Sequence, residues 1–108
     1  MPRLPVHLSA EAFADLAEIR AYLRREAGPA VSSRVIARIR GSLSSIERMP
    51  SAGAPRPEFG EGVRLYVSGS YAIYVQVAVD RVDVMRVLHA AQDRDAIMSG
   101  ATEEGETP

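Results

Sequence analysis

The chain has 108 residues, of which 46% are hydrophobic and 25% charged, so it suits one domain with a modest core and excludes wholesale disorder. It contains no cysteine, which excludes a disulfide framework, a thiolate metal site and a cysteine nucleophile. All 13 cationic side chains are arginine. Residues 1–100 contain all 13 arginines and 11 of the 14 acids, so their net charge is +2. This charge is small for a domain that binds phosphates.

The chain shows no sign of membrane insertion or export. No apolar run approaches the ~20 residues that a membrane span needs. The first residues lack the apolar stretch of a signal peptide. We therefore predict a cytoplasmic protein without a membrane partner.

The first elements predicted are a strand and a helix. Residues 4–8 are a short apolar stretch in which Val6 and Leu8 alternate around His7, which predicts a short strand. Ser9 then offers a helix N-cap, and the helix runs to about residue 26, where Gly28-Pro29 stops it. Ala12, Leu16, Ile19 and Leu23 form its apolar face. The opposite, polar face is expected to hold Glu11, Asp15, Glu18, Tyr22 and Arg25.

A second helix is predicted from about residue 30 to residue 49, before Pro50. Its apolar stripe consists of Val35, Ile36, Ile39, Leu43 and Ile46. Gly41 in its middle costs about 1 kcal/mol relative to alanine, which a close approach to the first helix would offset. The two helices make a hairpin.

The second half of the chain predicts three antiparallel strands. Residues 50–62 form a loop dense in proline and glycine. Beyond it the apolar period changes from 3.6 to 2. Two turns, at Gly69-Ser70 and Asp80-Arg81, separate strands over 63–67, 71–79 and 82–89.

The element order predicts an α+β fold, β-α-α-β-β-β, with the helical hairpin packed on one face of a small, mainly antiparallel sheet. The other face, carrying Arg64, Tyr66, Tyr74, Gln76 or their neighbours, is left partly open, and the pattern does not fix which set faces outward. Residues 93–98 predict a last helical turn, so that the domain spans 1–98 and residues 99–108 form a flexible acidic tail.

Several short sequence stretches occur together in a recognisable order. They are Ala-Asp-Leu-Ala-Glu-Ile-Arg-Ala-Tyr-Leu at 14–23, Ile-Glu-Arg-Met-Pro at 46–50 followed by Gly53, Gly-Val-Arg-Leu at 62–65, Tyr-Ala-Ile-Tyr-Val at 71–75, and residues 84–93 with Arg86-Val87-Leu88-His89 at their centre. In this order and spacing, they resemble the ParE toxins of the RelE/ParE superfamily, from type II toxin–antitoxin systems. The resemblance covers roughly residues 4 to 97.

The resemblance implies two competing activities. ParE-like toxins that have been studied inhibit growth by poisoning DNA gyrase. RelE-like toxins are ribosome-dependent endoribonucleases that cut mRNA. Both are neutralised by a cognate antitoxin, which for a ParE-like toxin is a ParD-like protein in a hetero-oligomer. A third alternative is a degenerate, non-toxic module that only binds its antitoxin.

The available side chains favour the ParE-like alternative, which requires no catalytic residue, cofactor or metal. RNA cleavage through the 2′-hydroxyl needs a general base, a general acid and cations. Without lysine, only Arg64, Arg86 and His89 remain for such a nuclease. Arg86 and His89 lie three apart, so a regular strand would point them to opposite faces. The small net charge also argues against direct nucleic-acid binding.

The residues predicted to bind a partner are arginines, tyrosines and one histidine: Arg34, Arg38, Arg64, Tyr66, Tyr74, Arg86 and His89. Arginine forks suit bidentate contacts with carboxylates of an acidic partner. Each candidate also has a structural interpretation. Arg64 could pair with Asp83, His89 could cap the sheet by hydrogen bonds, and the tyrosines could fill cross-strand pairs.

Overall fold

The structure is a computed structural model that describes residues 3–103. Its elements, in chain order, are β1 (Val6–Leu8), α1 (Ala10–Ala27), α2 (Pro29–Arg48), β2 (Ala54–Pro55), β3 (Val63–Ser68), β4 (Tyr71–Val77), β5 (Val82–His89) and α3 (Arg94–Glu103). Two 3₁₀ turns, Pro50–Ala52 and Pro57–Phe59, flank β2. The predicted order of helices and strands is confirmed, with β2 as an addition.

The five strands form one sheet in the order β1-β5-β4-β3-β2. β1 runs parallel to β5, and every other neighbouring pair is antiparallel, as predicted for a mainly antiparallel sheet. β2 was not predicted because two residues are too few to show a period of two. Ala54 in β2 pairs with Leu65, so this part of the predicted loop belongs to the sheet.

The helical hairpin forms as local signals predict. The Ser9 hydroxyl accepts a hydrogen bond from the Ala12 amide at 3.0 Å and so caps α1. Gly28 adopts a φ of +94° between the helices, a conformation that favours glycine, and Pro29 is the first residue of α2. The expected approach of Gly41 to α1 is wrong, because Gly41 is exposed and a Cβ there would meet nothing within 4 Å.

The main core lies between the hairpin and one face of the sheet. It contains the predicted apolar residues of both helices, except Leu23, and alternate residues of the central strands. Its buried members are Ala12, Leu16, Ile36, Ile39, Ile46, Tyr71, Ile73, Val75, Val82, Val84 and Val87. The helix period and the strand period therefore meet across one interface, as the sequence predicts.

A second apolar cluster lies on the sheet face that was expected to be partly open. Its buried members are Phe59, Val63, Ala72, Tyr74, Leu88 and Met98. The Phe59 and Tyr74 rings meet edge to face, with centroids 5.8 Å apart. The sequence predicted a partly open face, and Val67, which pairs with Ala72, is 70% exposed there. The cover around Tyr74 was not predicted, because it comes from a 3₁₀ turn and from α3, which are too short for a periodic pattern to show.

Two predicted boundaries differ from the structure. β4 ends at Val77, and Val79, placed in the strand by its alternation, is 97% exposed in the turn before β5. Residues 99–103 continue α3 where the sequence predicted the start of the tail, and the rest of that predicted tail, 104–108, lies outside the described residues. No described helix is both long and apolar enough to cross a membrane.

Candidate functional site

A buried ion pair joins the first helix to the last strand. The Arg86 guanidinium donates from Nε to Asp15 Oδ2 and from Nη2 to Asp15 Oδ1, each at 2.8 Å. The Val87 amide donates to Asp15 Oδ2 at 2.9 Å. Asp15 is 7% exposed, whereas its sequence pattern assigned it to the polar outer face of α1, so that assignment was wrong. The hydrogen bonds to Asp15 hold the pKa of Arg86 above its ordinary value, despite the opposing effect of burial.

A bulge in β5 positions this arginine. Tyr74 pairs with Arg86 while Val75 pairs with Val84, so Met85 is an extra residue in β5. A bulge leaves backbone groups without hydrogen-bond partners on the neighbouring strand. Here α1 and its N-cap residue supply those partners. The Ser9 hydroxyl donates to the Met85 carbonyl at 2.9 Å, and Asp15 accepts from Val87.

The bulge lies before Arg86, so the alternation from Arg86 to His89 stays regular. The extra residue shifts the alternation of β5, so that Val84 and Val87 both lie in the main core although they are three apart. Arg86 and His89, also three apart, both line one cleft beside α1. Arg86 nevertheless pairs with Tyr74 of the second cluster, and His89 pairs with Tyr71 of the main core, so their side chains leave opposite faces of β5, as predicted. They share the cleft because the Arg86 guanidinium reaches Asp15 on α1.

This cleft has a volume of about 430 Å³ and opens between α1 and the end of β5. We call it the β5 cleft; its side chains come from Asp15, Glu18, Ile19, Tyr22, Tyr71, Arg86, Val87, His89, Ala91 and Gln92. Burial, and to a smaller degree the neighbouring Tyr22, raise the pKa of Tyr71. The cleft thus combines aromatic rings, carboxylates and an arginine that is already paired.

His89 is tied to the chain that follows β5. Its Nδ1 accepts a hydrogen bond from the Ala91 amide at 3.0 Å, and its backbone amide donates to Gln92 Oε1 at 2.7 Å. Its ring meets Tyr71 edge to face, with centroids 5.2 Å apart. These contacts correspond to the structural alternative, in which the histidine caps the sheet end. Because Nδ1 is an acceptor, the neutral ring carries its proton on Nε2.

Arg64 and Tyr66 stabilise the loop after α2 and do not line the β5 cleft. The Arg64 Nη1 donates to the carbonyls of Ser51 at 3.0 Å and Gly53 at 2.7 Å. The Tyr66 hydroxyl bonds the carbonyls of Met49 and Pro50. Its ring covers Gly53, where a Cβ would lie 2.5 Å from the ring. The proposed ion pair between Arg64 and Asp83 does not form, since Asp83 pairs with Arg81.

The remaining candidates are divided between surface and core. Tyr74 is 2% exposed in the second cluster, so its ring does not belong to an aromatic surface. Arg34 and Arg38 are exposed on α2. Among residues 3–103, no three histidines, aspartates or glutamates converge as metal ligands.

The sequence of the chain matches a known protein family. The sequence model described as "ParE toxin of type II toxin-antitoxin system, parDE" matches residues 6–94. The chain belongs to the ParE toxin family. No curated protein sequence matches it.

Two solved structures share the fold of this ParE-family chain. A chain of the chromosomal ParDE toxin–antitoxin system from P. aeruginosa is 19% identical, with a TM-score of 0.70 over 81% of this chain and 96% of that one. A chain of the RelBE2 toxin–antitoxin complex from Mycobacterium tuberculosis is 22% identical, with a TM-score of 0.61 over 85% of this chain and 97% of that one. The RelE/ParE-like fold predicted from the sequence is confirmed.

Asp15 is the residue of this ParE-family site that sequence reasoning missed. Its position offered a signal, because Ala12, Asp15 and Ile19 follow one another at spacings of three and four and so border the apolar stripe. An arginine within a mostly apolar strand also needs a partner. Neither signal identifies the pair alone, since the two residues lie 71 positions apart.

Proposed function

We propose that this chain is the growth-inhibiting toxin of a ParDE-type pair, that it acts by binding DNA gyrase, and that a ParD-like antitoxin neutralises it. Family membership supports the toxin role. The observation that carries the mode of action is the engagement of the two arginines a nuclease would need. Arg86 is held by Asp15, and Arg64 is held by loop carbonyls.

A protein target also suits the charge and the β5 cleft. Residues 1–100 have 13 cations and 11 acids, so the field around the domain favours polyanions only weakly. The cleft offers Tyr22, which is 55% exposed, beside Tyr71 and His89. Aromatic side chains are enriched in the centres of protein–protein interfaces. We infer that this cleft and the exposed arginines of α2 contact partner proteins.

The antitoxin is proposed by similarity. The P. aeruginosa protein belongs to a ParDE system, and the M. tuberculosis protein was solved as a toxin–antitoxin complex. A ParD-like partner with acidic groups would match the unpaired cations of α2.

Controlled expression tests the toxin role. We expect arrested growth on induction, inhibition of supercoiling by purified gyrase, and restored growth when the product of the neighbouring gene is co-expressed. Unimpaired growth with normal gyrase activity would contradict the proposal. If that outcome is accompanied by tight binding to the neighbouring gene product, the chain is a non-toxic antitoxin-binding module.

One observation favours the RelE-like alternative, namely that Arg86 and His89 share the β5 cleft. Mapping transcript ends in induced cells decides it, because ribosome-dependent cleavage leaves cuts at translated codons. The matched variant is His89→Asn, which removes a candidate proton-transfer group and leaves the Asp15–Arg86 pair in place. Codon-specific cuts that this variant abolishes would establish nuclease activity and overturn the gyrase proposal.

A further inference from the structure

A small notch lies between α2 and the turn that joins β3 to β4. Its volume is about 80 Å³, and Arg38, Ser68, Gly69, Ser70 and Tyr71 contribute to its walls. Gly69 has a φ of +60°, as the tight turn requires. We call this cavity the Arg38 notch. It is separate from the β5 cleft, and among the residues that the structure describes only Tyr71 lines both.

The wall of the notch contains a buried hydroxyl without a partner. Ser68 is 5% exposed, and its Oγ is buried without a hydrogen bond to any described group. Burying a hydroxyl without a hydrogen bond costs free energy, so such groups are rare in native proteins. A hydroxyl donates readily to an anion. An acceptor arriving in the notch would therefore satisfy Ser68.

Arg38 provides a positive charge at the same place. Its side chain lies across the turn, because a Cβ added to Gly69 would be 3.3 Å from Arg38 Nη1. No hydrogen bond or ion pair joins its guanidinium to an acceptor among residues 3–103. The surrounding helix is cationic, since residues 29–46 include three arginines and no acid. The guanidinium is thus placed at the notch with its donors free.

We propose that the Arg38 notch receives a side-chain carboxylate from an acidic segment of a partner protein. Arg38 would bind the carboxylate through its fork, and the Ser68 hydroxyl would donate to it. The guanidinium fork matches carboxylates and phosphates alike, but a notch of about 80 Å³ with a single cation favours the smaller, singly charged carboxylate. The identification of the partner as the antitoxin rests on the proposed function, but the chemistry of the notch does not.

A titration of the ¹⁵N-labelled full chain tests the notch without the antitoxin. The probe is a short acetylated and amidated peptide of alternating aspartate and alanine, and the control peptide has asparagine in place of aspartate. We expect saturable shifts of the Ser68, Gly69 and Ser70 amides with the acidic peptide only. An equal or stronger response to inorganic phosphate at matched ionic strength would overturn the carboxylate assignment.

Two variants separate binding from folding. Arg38→Gln should weaken the binding of the acidic peptide about tenfold or more, because hydrogen bonds between charged groups are lost. Arg40→Gln is the matched control, since it removes an exposed charge of the same helix that does not line the notch, and should change the affinity less than about twofold. Ser68→Ala should weaken binding severalfold and leave the urea midpoint unchanged or higher, because the free protein loses no hydrogen bond.

The outcomes distinguish this proposal from the proposed function. Equal losses in Arg38→Gln and Arg40→Gln, or a Ser68→Ala variant that is less stable but binds normally, would overturn the notch while leaving the toxin role unaffected. Conversely, the chain could show amide shifts that require Arg38 and yet neither arrest growth nor inhibit gyrase. That outcome would support the carboxylate site in the notch and contradict the gyrase proposal.

Discussion

A single carboxylate determines how the last strand meets the first helix. Asp15 accepts two hydrogen bonds from Arg86 and one from the Val87 amide while almost fully buried. A buried charge is tolerated when it is paired and hydrogen-bonded, and Asp15 satisfies both conditions. The pair therefore fixes the side of the β5 cleft on which Arg86 lies, and leaves that arginine little freedom to act on a phosphate.

Replacing this carboxylate should be costly. We expect Asp15→Asn to lower the free energy of unfolding by about 2–4 kcal/mol, because Arg86 stays half-buried without its counter-charge. Urea unfolding followed by circular dichroism measures the loss. Asp83→Asn is the matched control, since its pair with Arg81 is exposed and its loss should cost no more than about 0.5 kcal/mol. Equal losses in the two variants would refute the special role of Asp15.

Tyr71 should make stability sensitive to alkaline pH. Burial raises its pKa in the folded chain, so the unfolded chain releases this proton first as the pH increases. The contribution of Tyr71 to the free energy of unfolding is complete below its pKa of about 10 in the unfolded chain. It is lost as the pH rises through its pKa in the folded chain. The chain has no lysine and no cysteine, so neither of these side chains contributes to the change. Urea unfolding between pH 9 and about 11 should show a decline that is shallower in Tyr71→Phe; an unchanged slope would contradict this account.

At two glycines, the surroundings decide whether a substitution by alanine stabilises or destabilises the chain. Gly41 is exposed in the middle of α2, so Gly41→Ala should stabilise the chain by about 0.5–1 kcal/mol. Gly53 lies under the Tyr66 ring, so Gly53→Ala should cost about 1–3 kcal/mol. Thermal and urea unfolding measure both. If both variants shift stability in the same direction, the packing of Tyr66 on Gly53 is not what governs this loop.

The short helix α3 contributes to the core through Met98, which is fully buried. We expect Met98→Ala to lower the free energy of unfolding by about 2–4 kcal/mol, because it leaves a cavity in the second cluster. Val79→Ala is the control, since Val79 is 97% exposed and its truncation should have little effect. A Met98→Ala variant as stable as the wild type would show that α3 does not contribute to the core.

At the scale of the whole molecule, the small net charge supports the proposed binding to proteins over binding to nucleic acid. The net charge of residues 1–100 is only +2, from 13 arginines and 11 acids. We expect no retention of a DNA or RNA duplex of about 30 base pairs at micromolar protein in about 150 mM salt, and at most weak retention at about 20 mM. Filter binding at both salt concentrations checks this, and retention that persists at the higher one would favour the nuclease alternative.

The periods of apolar residues were sufficient to predict the order of the elements. The helical repeat of α1 and α2 and the alternation of β3 to β5 gave the hairpin, the meander and the main core, because each segment was long enough for its period to show. Local caps gave the helix ends, as Ser9 and Gly28-Pro29 illustrate. The order of short motifs indicated the family, which the match over residues 6–94 shows.

The candidate site, by contrast, depended on contacts between distant segments. The bulge at Met85 changes which residues of β5 share a face, and nothing in the alternation of the sequence marks an extra residue. The cover of the second face by Phe59 and Met98 comes from pieces too short to show a period. The sequence thus determined the fold of Arg86-Val87-Leu88-His89 as a strand. Only tertiary structure decided that Arg86 pairs with Asp15 and shares a cleft with His89, because pairing across 71 residues is settled by packing and not by local pattern.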